Sequence, residues 1–199
     1  NPTGRLLQKN DVFEIAEASK KLKCLLIVDE AFIDFQPEES VIKAVQNNPY
    51  LIVLRSMTKF YALTGLRIGY GVFPLSLIER LKEFKEPWTV NALAQKAAMA
   101  AIGDNEYMGK TLRLIKSGKD FLESSFRKIG IEFFPSDANF YLLKSNDNIR
   151  IAIKLEGKGI LVRNCSNFRG LNSSYIRVAV KSRKENKILI KALGDVLSN

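Results

Sequence analysis

Residues 51–67 read LIVLRSMTKFYALTGLR, and this stretch decides the fold. Its first four residues, Leu51 to Leu54, form a continuous apolar run, which predicts a buried strand of the kind found in parallel sheets. Polar residues follow directly, from Ser56 to Lys59, so they lie at the carboxyl end of that strand. The glycine-containing segment 65–72 then predicts a turn followed by a further strand.

The preceding segment repeats this order of helix, strand and polar residue. Residues 11–23 carry apolar side chains at helical spacing, and residues 24–28 read CLLIV, which predicts a second buried, parallel-type strand ending at Asp29. A shorter segment, 41–46, is also predicted to be helical. Open α/β sheets bind ligands beyond the carboxyl ends of their strands. We therefore expect Asp29 and the turn from Ser56 to Lys59 to lie at a ligand site.

Four residues near these points have the chemistry that one cofactor needs. Pyridoxal 5'-phosphate requires an amine to hold its aldehyde as a Schiff base and an anion beside its pyridine nitrogen. It also requires a donor to its phenolate oxygen and a cation at its phosphate. In that order, the sequence offers Lys59, Asp29, Asn1 and Arg67. A lone lysine is most often an ordinary surface residue, so the prediction depends on all four motifs together.

The motifs NPTG, DEAF, S-x-T-K and GLR-x-G, taken in order, resemble the fold-type I pyridoxal-phosphate enzymes of the aminotransferase class, and the resemblance covers the whole chain. Within that class the chain is similar to the histidinol-phosphate aminotransferase branch. It is more closely similar to the related L-threonine-O-3-phosphate decarboxylases of cobalamin biosynthesis. Four segments carry this finer likeness: VDEAFIDF (28–35), LRSMTKFY (54–61), PWTVNALA (87–94) and ILVRNCSNFRGL (160–171). Those containing Trp88 and Cys165 favour the decarboxylases.

The resemblance implies a role for each residue near the cofactor. Asp29 would keep the pyridine nitrogen protonated, and Lys59 would hold the cofactor and then act as acid or base at the substrate Cα. Arg67 would pair with the cofactor phosphate, and Ser56 and Thr58 would add hydroxyl groups. Two structural alternatives stay open at this point: Asp29 could cap a helix after the strand, and Thr58 could be a turn-forming hydroxyl.

Phe32 departs from the pattern of many aminotransferases, which have tyrosine at this position. The hydroxyl that would hydrogen-bond the cofactor phenolate is therefore absent, and Asn1 is expected to make more of that contact and to contact the substrate as well. Loss of one such hydrogen bond would shift the reactivity of the Schiff base without abolishing it. Ordinary packing is an equally good interpretation of Phe32.

Arg163 and Arg177 are the predicted substrate-binding residues. Their spacing matches the pair that binds substrate anions in the resembling family, which implies that one holds a carboxylate and the other helps to hold a phosphate. They belong to successive predicted strands, at 160–163 and 175–180. A surface salt bridge is the alternative for each, although Arg177 lies mid-strand, where an unpaired buried cation would be costly.

The expected fold is α/β: the rear part of a fold-type I large domain, with a mostly parallel sheet and helices, followed by a smaller α+β domain. We place the first domain at residues 1–105 and the second at residues 106–199. Further elements are predicted in the order helix 91–102, helix 106–128, strands 131–134 and 139–143, helix 149–156 and a final helix from Lys184. The sequence starts inside a motif and without methionine, so we expect it to be part of a longer protein.

Composition excludes several other classes of protein. The 199 residues contain no histidine and two cysteines without zinc-like spacing, so neither a histidine-based triad nor a metal site is expected. The net charge of +10 could attract a polyanion, but the basic residues are dispersed, and a nucleic-acid partner is not expected. No apolar run suggests a membrane span. We expect a cytoplasmic enzyme that forms a homodimer, the latter implied by resemblance alone.

The expected activity is decarboxylation of L-threonine O-3-phosphate to aminopropanol phosphate, a reaction of cobalamin biosynthesis. Transamination of histidinol phosphate or a related amine is the alternative. Both reactions depend on which bond at Cα stands perpendicular to the cofactor plane, and the motifs do not encode that angle. Two further hypotheses remain: a chain that folds but is catalytically incomplete by itself, and a basic nucleic-acid-binding module with salt-sensitive affinity.

Overall fold

The computed structural model describes residues 3–145 and 148–197, and the chain divides into two compact units. The lysine unit, named here for Lys59, comprises Leu7–Met108. The arginine unit, named for Arg177, comprises the segment up to Leu6 together with the residues from Gly109 onward. The sequence-based division into domains at residues 105 and 106 stays a prediction.

The lysine unit contains a three-stranded sheet of order β1-β2-β3. Its strands are β1 (Leu26–Asp29), β2 (Leu51–Ser56) and β3 (Gly69–Val72), and its helices are α1 (Lys9–Lys21), α2 (Leu75–Phe84) and α3 (Ala92–Ile102). The predicted helix–strand order up to β3 is confirmed, whereas α2 was not predicted. Segment 41–46 forms a 3-10 helix, Ile42–Asn47, in place of a regular helix.

The α/β class is confirmed, but the expectation of a mostly parallel sheet is wrong for these three strands. β1 and β2 are parallel, whereas β2 and β3 are antiparallel. The physical reason is the connection: a parallel return requires a crossover of a dozen or more residues, usually a helix. Residues 57–68 instead form a compact loop with one short 3-10 turn, Thr64–Leu66, so β3 runs back beside β2.

The two faces of this sheet are packed unequally. Val28 and Val53 are register partners, Val53 also pairs with Val72, and this inner face packs against Val12 of α1 and Val45. On the opposite face Ile27 is 60% exposed, although its register partner Ile52 is buried. The expectation that residues 24–28 are fully buried is therefore wrong, because β1 is an edge strand of the described sheet and is covered from one side.

The arginine unit is built on a second sheet of order β4-β5-β7-β6, with every pairing antiparallel. Its strands are β4 (Glu132–Phe133), β5 (Phe140–Lys144), β6 (Arg163–Asn164) and β7 (Tyr175–Ala179). Its helices are α4 (Asn105–Ile129), which begins before the unit boundary, α5 (Asn148–Glu156) and α6 (Arg183–Leu197). The predicted α+β content is confirmed. The strand predicted at 160–163 forms only at its last residue.

The core of this unit lies between the sheet and its helices. It includes the fully buried side chains of Leu122 and Phe126 from α4, Tyr141 from β5, Leu155 from α5 and Leu193 from α6. Within residues 3–145 and 148–197, no helix is long and apolar enough to cross a membrane. The same described ranges hold no cluster of side chains suited to a metal ion.

Helix α6 starts with a capping box. The Glu185 backbone N–H donates to Ser182 Oγ at 3.3 Å, and Glu185 Oε2 accepts from the Ser182 N–H at 3.2 Å and from its hydroxyl at 2.6 Å. We predict that Ser182→Ala lowers the free energy of unfolding by about 1 kcal/mol, because the helix loses this cap. Urea titration followed by circular dichroism measures the change.

The matched control is Ser117→Ala, since Ser117 lies inside α4 and its hydroxyl donates to the carbonyl of Leu114. Equal effects of the two alanine variants would contradict the assignment of the cap.

The cap also makes the stability depend on pH. The Ser182 hydrogen bonds, followed by that of Lys181, lower the pKa of Glu185 from 4.5 to about 2. The folded-state pKa lies below the usual one, so this stabilisation is present above pH 4.5 and is lost as the pH falls toward 2.

Candidate active site

The parallel pairing of β1 and β2 places the ends of both strands at one edge of the sheet. Asp29 is the last residue of β1 and is paired in register with Leu54, two residues before Ser56 at the end of β2. Side chains alternate along a strand, so Asp29, Leu54 and Ser56 share the outer face, away from the packed core. Asp29 is exposed, and its Oδ1 accepts the N–H of Ala31 at 2.9 Å.

The loop after β2 holds its hydroxyl groups in fixed positions. Ser56 Oγ and Thr58 Oγ1 lie 2.8 Å apart, and the Thr58 N–H donates to Ser56 Oγ at 3.3 Å. Thr58 is buried, and its carbonyl accepts from the hydroxyl of Thr64 at 3.4 Å. The Thr58 hydroxyl is therefore held beside the hydroxyl at the end of β2, and the role of Thr58 at the cofactor stays a prediction.

Lys59 is exposed and lies near the turn that follows Asp29. Its Nζ is 5.7 Å from the centroid of the Phe32 ring, within cation–π distance. Phe32 in turn stacks with Phe35 at 6.5 Å. The ring at position 32 thus contacts the amine, in addition to packing against its aromatic neighbour.

Two residues in this loop adopt a backbone conformation that favours glycine. Ala62 has φ of 55° and Arg67 has φ of 52° with ψ of 59°. Left-handed conformations of residues other than glycine are uncommon, and they concentrate at functional sites. The Arg67 guanidinium donates through Nη1 to the carbonyl of Thr64 at 3.2 Å, which holds this arginine against the loop.

β3 places two glycines beside these residues on the outer face. Gly69 is the register partner of Ser56, and Gly71 is the register partner of Leu54. A Cβ at Gly69 would lie 2.6 Å from the carbonyl oxygen of Arg55, so only glycine fits there, and the Phe73 ring covers Gly71. The strand ends and the loop after β2 thus supply a carboxylate, an amine, two hydroxyls and a guanidinium. This set of donors and acceptors fits the cofactor predicted from the sequence.

Arg163 and Arg177 are directly opposite each other in the arginine unit. They are register partners on the antiparallel strands β6 and β7. The Arg177 guanidinium lies 4.4 Å from the Phe140 ring centroid, and Arg163 Nη2 donates to Asn167 Oδ1 at 3.0 Å. Like charges directly opposite each other destabilise a sheet. A bound anion would relieve this repulsion.

The positive charges of these two arginines affect the pKa of the Cys165 thiol. Burial raises the pKa of its thiol, and the positive charges of Arg177 and Arg163 act in the opposite direction. Both guanidinium groups therefore lie near this buried thiol. Their role as the substrate-binding pair stays a prediction.

The N-terminal motif belongs to the arginine unit as far as it is described. The Gly4 carbonyl accepts the N–H of Asp137 at 2.8 Å, and the Leu6 N–H donates to Asp137 Oδ2 at 2.9 Å. Gly4 has φ of +74°, and an added Cβ would lie 3.1 Å from the Phe140 ring. Asn1, predicted to contact cofactor and substrate, lies outside the described residues.

Sequence reasoning missed a buried group of polar side chains below the same sheet edge. These residues are Glu30, Asp34, Ser40 and Arg55. A signal was available, because Glu30 and Arg55 are charged residues that directly adjoin Asp29 and Ser56 and follow apolar runs. Burial raises the pKa of Asp34, with Arg55 opposing and Glu30 reinforcing the shift.

Comparison with known proteins establishes the family. Residues 1–193 match the family described as aminotransferase class I and II, and the chain belongs to that family. The threonine-phosphate decarboxylase of Salmonella typhimurium is 39% identical over 202 residues, which cover 100% of this chain and 56% of that protein. The histidinol-phosphate aminotransferase of Methanococcoides burtonii is 32% identical, over 98% of this chain and 53% of that protein.

A solved structure gives the same result for the fold. The crystal structure of the histidinol-phosphate aminotransferase from Clostridium acetobutylicum superposes with a TM-score of 0.94 at 33% identity. The alignment covers 100% of this chain and 62% of that one. The chain thus spans about half the length of the curated relatives that it matches.

We predict that inorganic phosphate stabilises the arginine unit and that Arg163→Gln weakens this effect. Removing one of two opposed cations should leave the free energy of unfolding within about 1 kcal/mol of wild type, since like-charge pairs across strands cost no more than about that. The phosphate-induced rise in Tm, measured by differential scanning fluorimetry, should largely disappear.

Arg113→Gln is the matched control, because Arg113 is an exposed arginine on α4 of the same unit. It should keep the full phosphate response. An unchanged response in Arg163→Gln, or an equal loss in both variants, would show that phosphate acts through general charge screening.

Proposed function

We propose that the protein containing this chain is a pyridoxal 5'-phosphate enzyme that decarboxylates L-threonine O-3-phosphate to aminopropanol phosphate. The observation that carries this proposal is that the carboxylate of Asp29 ends β1 and the amine of Lys59 follows β2 at the same edge of the sheet in the lysine unit. Within the arginine unit, Arg163 and Arg177 are a second pair, directly opposed. The first pair suits the cofactor, and the second suits a substrate with two anionic groups.

The bound cofactor supplies an electron sink for the charge that develops at the substrate Cα. Asp29 would hold a proton on the pyridine nitrogen, for which its exposed carboxylate at the end of β1 is suited. Lys59 would hold the cofactor in the resting enzyme and would afterwards move a proton at Cα. Ser56, Thr58 and Arg67 would bind the phosphate of the cofactor through two hydroxyls and a guanidinium.

The arginine pair selects the reaction by orienting the substrate. One guanidinium binds the carboxylate and the other binds the phosphate, and Arg177 is the better candidate for the carboxylate because the Phe140 ring restricts its position. By holding the carboxylate, this arginine would orient the bond from Cα to the carboxyl carbon for cleavage, and the electron pair of that bond would pass to the electron sink that the cofactor supplies. Carbon dioxide would leave, and Lys59 would return a proton to Cα.

Two observations support decarboxylation over transamination. The identity to the Salmonella decarboxylase, 39%, exceeds the 32% to the Methanococcoides aminotransferase. Phe32 also places an apolar ring against Lys59 in the position where many aminotransferases have a tyrosine.

Histidinol-phosphate transamination is the second candidate, and one observation favours it. The backbone superposes on the aminotransferase of Clostridium acetobutylicum with a TM-score of 0.94. An anion-binding arginine pair would serve the phosphate of either substrate. We further propose that the complete protein acts in the cytoplasm as a homodimer, and that residues 1–199 alone lack part of the site, since they correspond to about half of each relative.

We predict that Lys59→Ala abolishes the visible absorbance that pyridoxal phosphate gains on binding to the full-length protein, because the amine that holds it is removed. With wild type, L-threonine O-3-phosphate should release carbon dioxide without an oxo-acid acceptor. Absorbance spectroscopy and a carbon dioxide assay measure the two effects.

Lys43→Ala is the matched control, because Lys43 is another exposed lysine of the lysine unit. It should keep both the absorbance and the turnover. Amino transfer from histidinol phosphate, with no carbon dioxide from threonine phosphate, would establish the second candidate. Absence of cofactor absorbance in wild type would contradict the cofactor assignment.

A further inference from the structure

A buried ionic cluster lies beneath the edge of the sheet that carries Asp29 and Ser56. The Arg55 cluster, as we name it, consists of Glu30, Asp34, Ser40 and Arg55. The guanidinium of Arg55 contacts all three of its neighbours: Nε lies 2.7 Å from Glu30 Oε2, Nη1 donates to Asp34 Oδ1 at 2.7 Å, and Nη2 donates to Ser40 Oγ at 2.8 Å. The Nε contact is an ion pair and lacks the alignment of a hydrogen bond.

The cluster lies on the opposite face of the sheet from the candidate site. Glu30 follows Asp29 in the chain and Arg55 precedes Ser56, so strand alternation points the two kinds of side chain in opposite directions. The side chains of Arg55 and Glu30 are only 10% and 3% exposed. Each residue assigned to the cofactor at these strand ends thus has a cluster residue as its covalent neighbour.

The cluster joins three segments of the chain. The Glu30 N–H donates to the Leu54 carbonyl at 2.8 Å, which continues the pairing of β1 with β2. Glu30 Oε1 accepts the N–H of Val41 at 2.7 Å, and Oε2 accepts the hydroxyl of Ser40 at 2.8 Å. The ends of β1 and β2 and the segment at 40–41 are therefore held by one set of directional contacts.

Stability alone does not account for charges at this position. The same inner face is apolar one pair earlier, at Val28 and Val53, and two pairs earlier, at Leu26 and Leu51, and these residues pack in the core. Replacing a buried ion pair with uncharged residues of similar size is often neutral or stabilising. A planar guanidinium adds directional contacts. Its N–H donors point in fixed directions and bind acceptors only where those are arranged to match.

We propose that Arg55 is a positioning residue that fixes the end of β2 against the end of β1, and so sets the placement of Lys59 relative to Asp29. The inference rests on the proposed function, since Lys59 and Asp29 are the residues assigned to the cofactor. Lysine at position 55 is a point charge and cannot reproduce the three contacts of the guanidinium.

The test uses the full-length protein with pyridoxal phosphate and a variant that removes the charges together. In Glu30→Gln/Asp34→Asn/Arg55→Met, each replacement is close in size and no buried charge is left unpaired. We expect its Tm to stay near that of wild type. We expect cofactor binding to weaken about tenfold or more, since a misplacement of about 1 Å can cost about 100-fold at a positioned site.

The second readout is the pH midpoint of the visible absorbance of the lysine-bound cofactor. It depends on the placement of the amine and the carboxylate, and we expect it to shift by about one pH unit, equivalent to about a tenfold change in proton affinity. The matched control is Val12→Ala, which removes two buried methyl groups from the apolar core of the inner face. It should lower Tm and leave the midpoint unchanged.

Two results would overturn the proposal: a triple variant with the cofactor affinity and pH midpoint of wild type, or a Val12→Ala variant that shifts the midpoint as strongly. If the triple variant does not fold, Arg55→Lys decides, since a shifted midpoint supports positioning and an unchanged one refutes it. Failure of wild type to bind the cofactor would instead refute the proposed function, and the positioning role with it.

Discussion

The parallel register of β1 and β2 is the constraint on which the candidate site depends. Pairing Asp29 with Leu54 brings the carboxylate at the end of one strand beside the hydroxyls and amine that follow the other. A slip of one residue would turn every side chain of one strand to the opposite face. It would expose Glu30 or Arg55 on the outer face and bury Asp29 or Ser56. The packed inner face, which includes Val28 and Val53, specifies this register through burial of apolar surface.

The two faces of this sheet edge therefore have different tasks. The outer face carries the exposed Asp29, with Ser56 beside a glycine of β3. The inner face ends in charges that are paired with one another and removed from water. Buried charge is costly unless its partners are well placed, so the inner face tolerates little movement. A rigid support on one side and an exposed carboxylate on the other is an arrangement that suits a precise binding site.

Much of the fold could be read from the sequence, because apolar runs and helical periodicity decide local structure. The run at 51–54 and the terminal Asp29 gave β1, β2 and their polar ends. The direction of β3 was not predictable, since it depends on a loop whose left-handed residues, Ala62 and Arg67, carry no glycine signal. Arg163 and Arg177 were predicted as a pair from the family resemblance, but their direct register depends on the strand pairing, which spacing does not determine. Glu30 and Arg55 stood out as charges after apolar runs, but their pairing in the Arg55 cluster spans 10 to 25 residues of sequence, and no local pattern predicts such contacts.

The central claim is that the amine after β2 holds the cofactor, and chemical trapping tests it most directly. The full-length protein would be incubated with pyridoxal phosphate, reduced with borohydride and digested with trypsin. Modification of Lys59 blocks cleavage there, so the account predicts a cofactor-labelled peptide running from Ser56 to Arg67 in the mass spectrum. A label on any other lysine, or no label on a protein that binds the cofactor, would contradict the account.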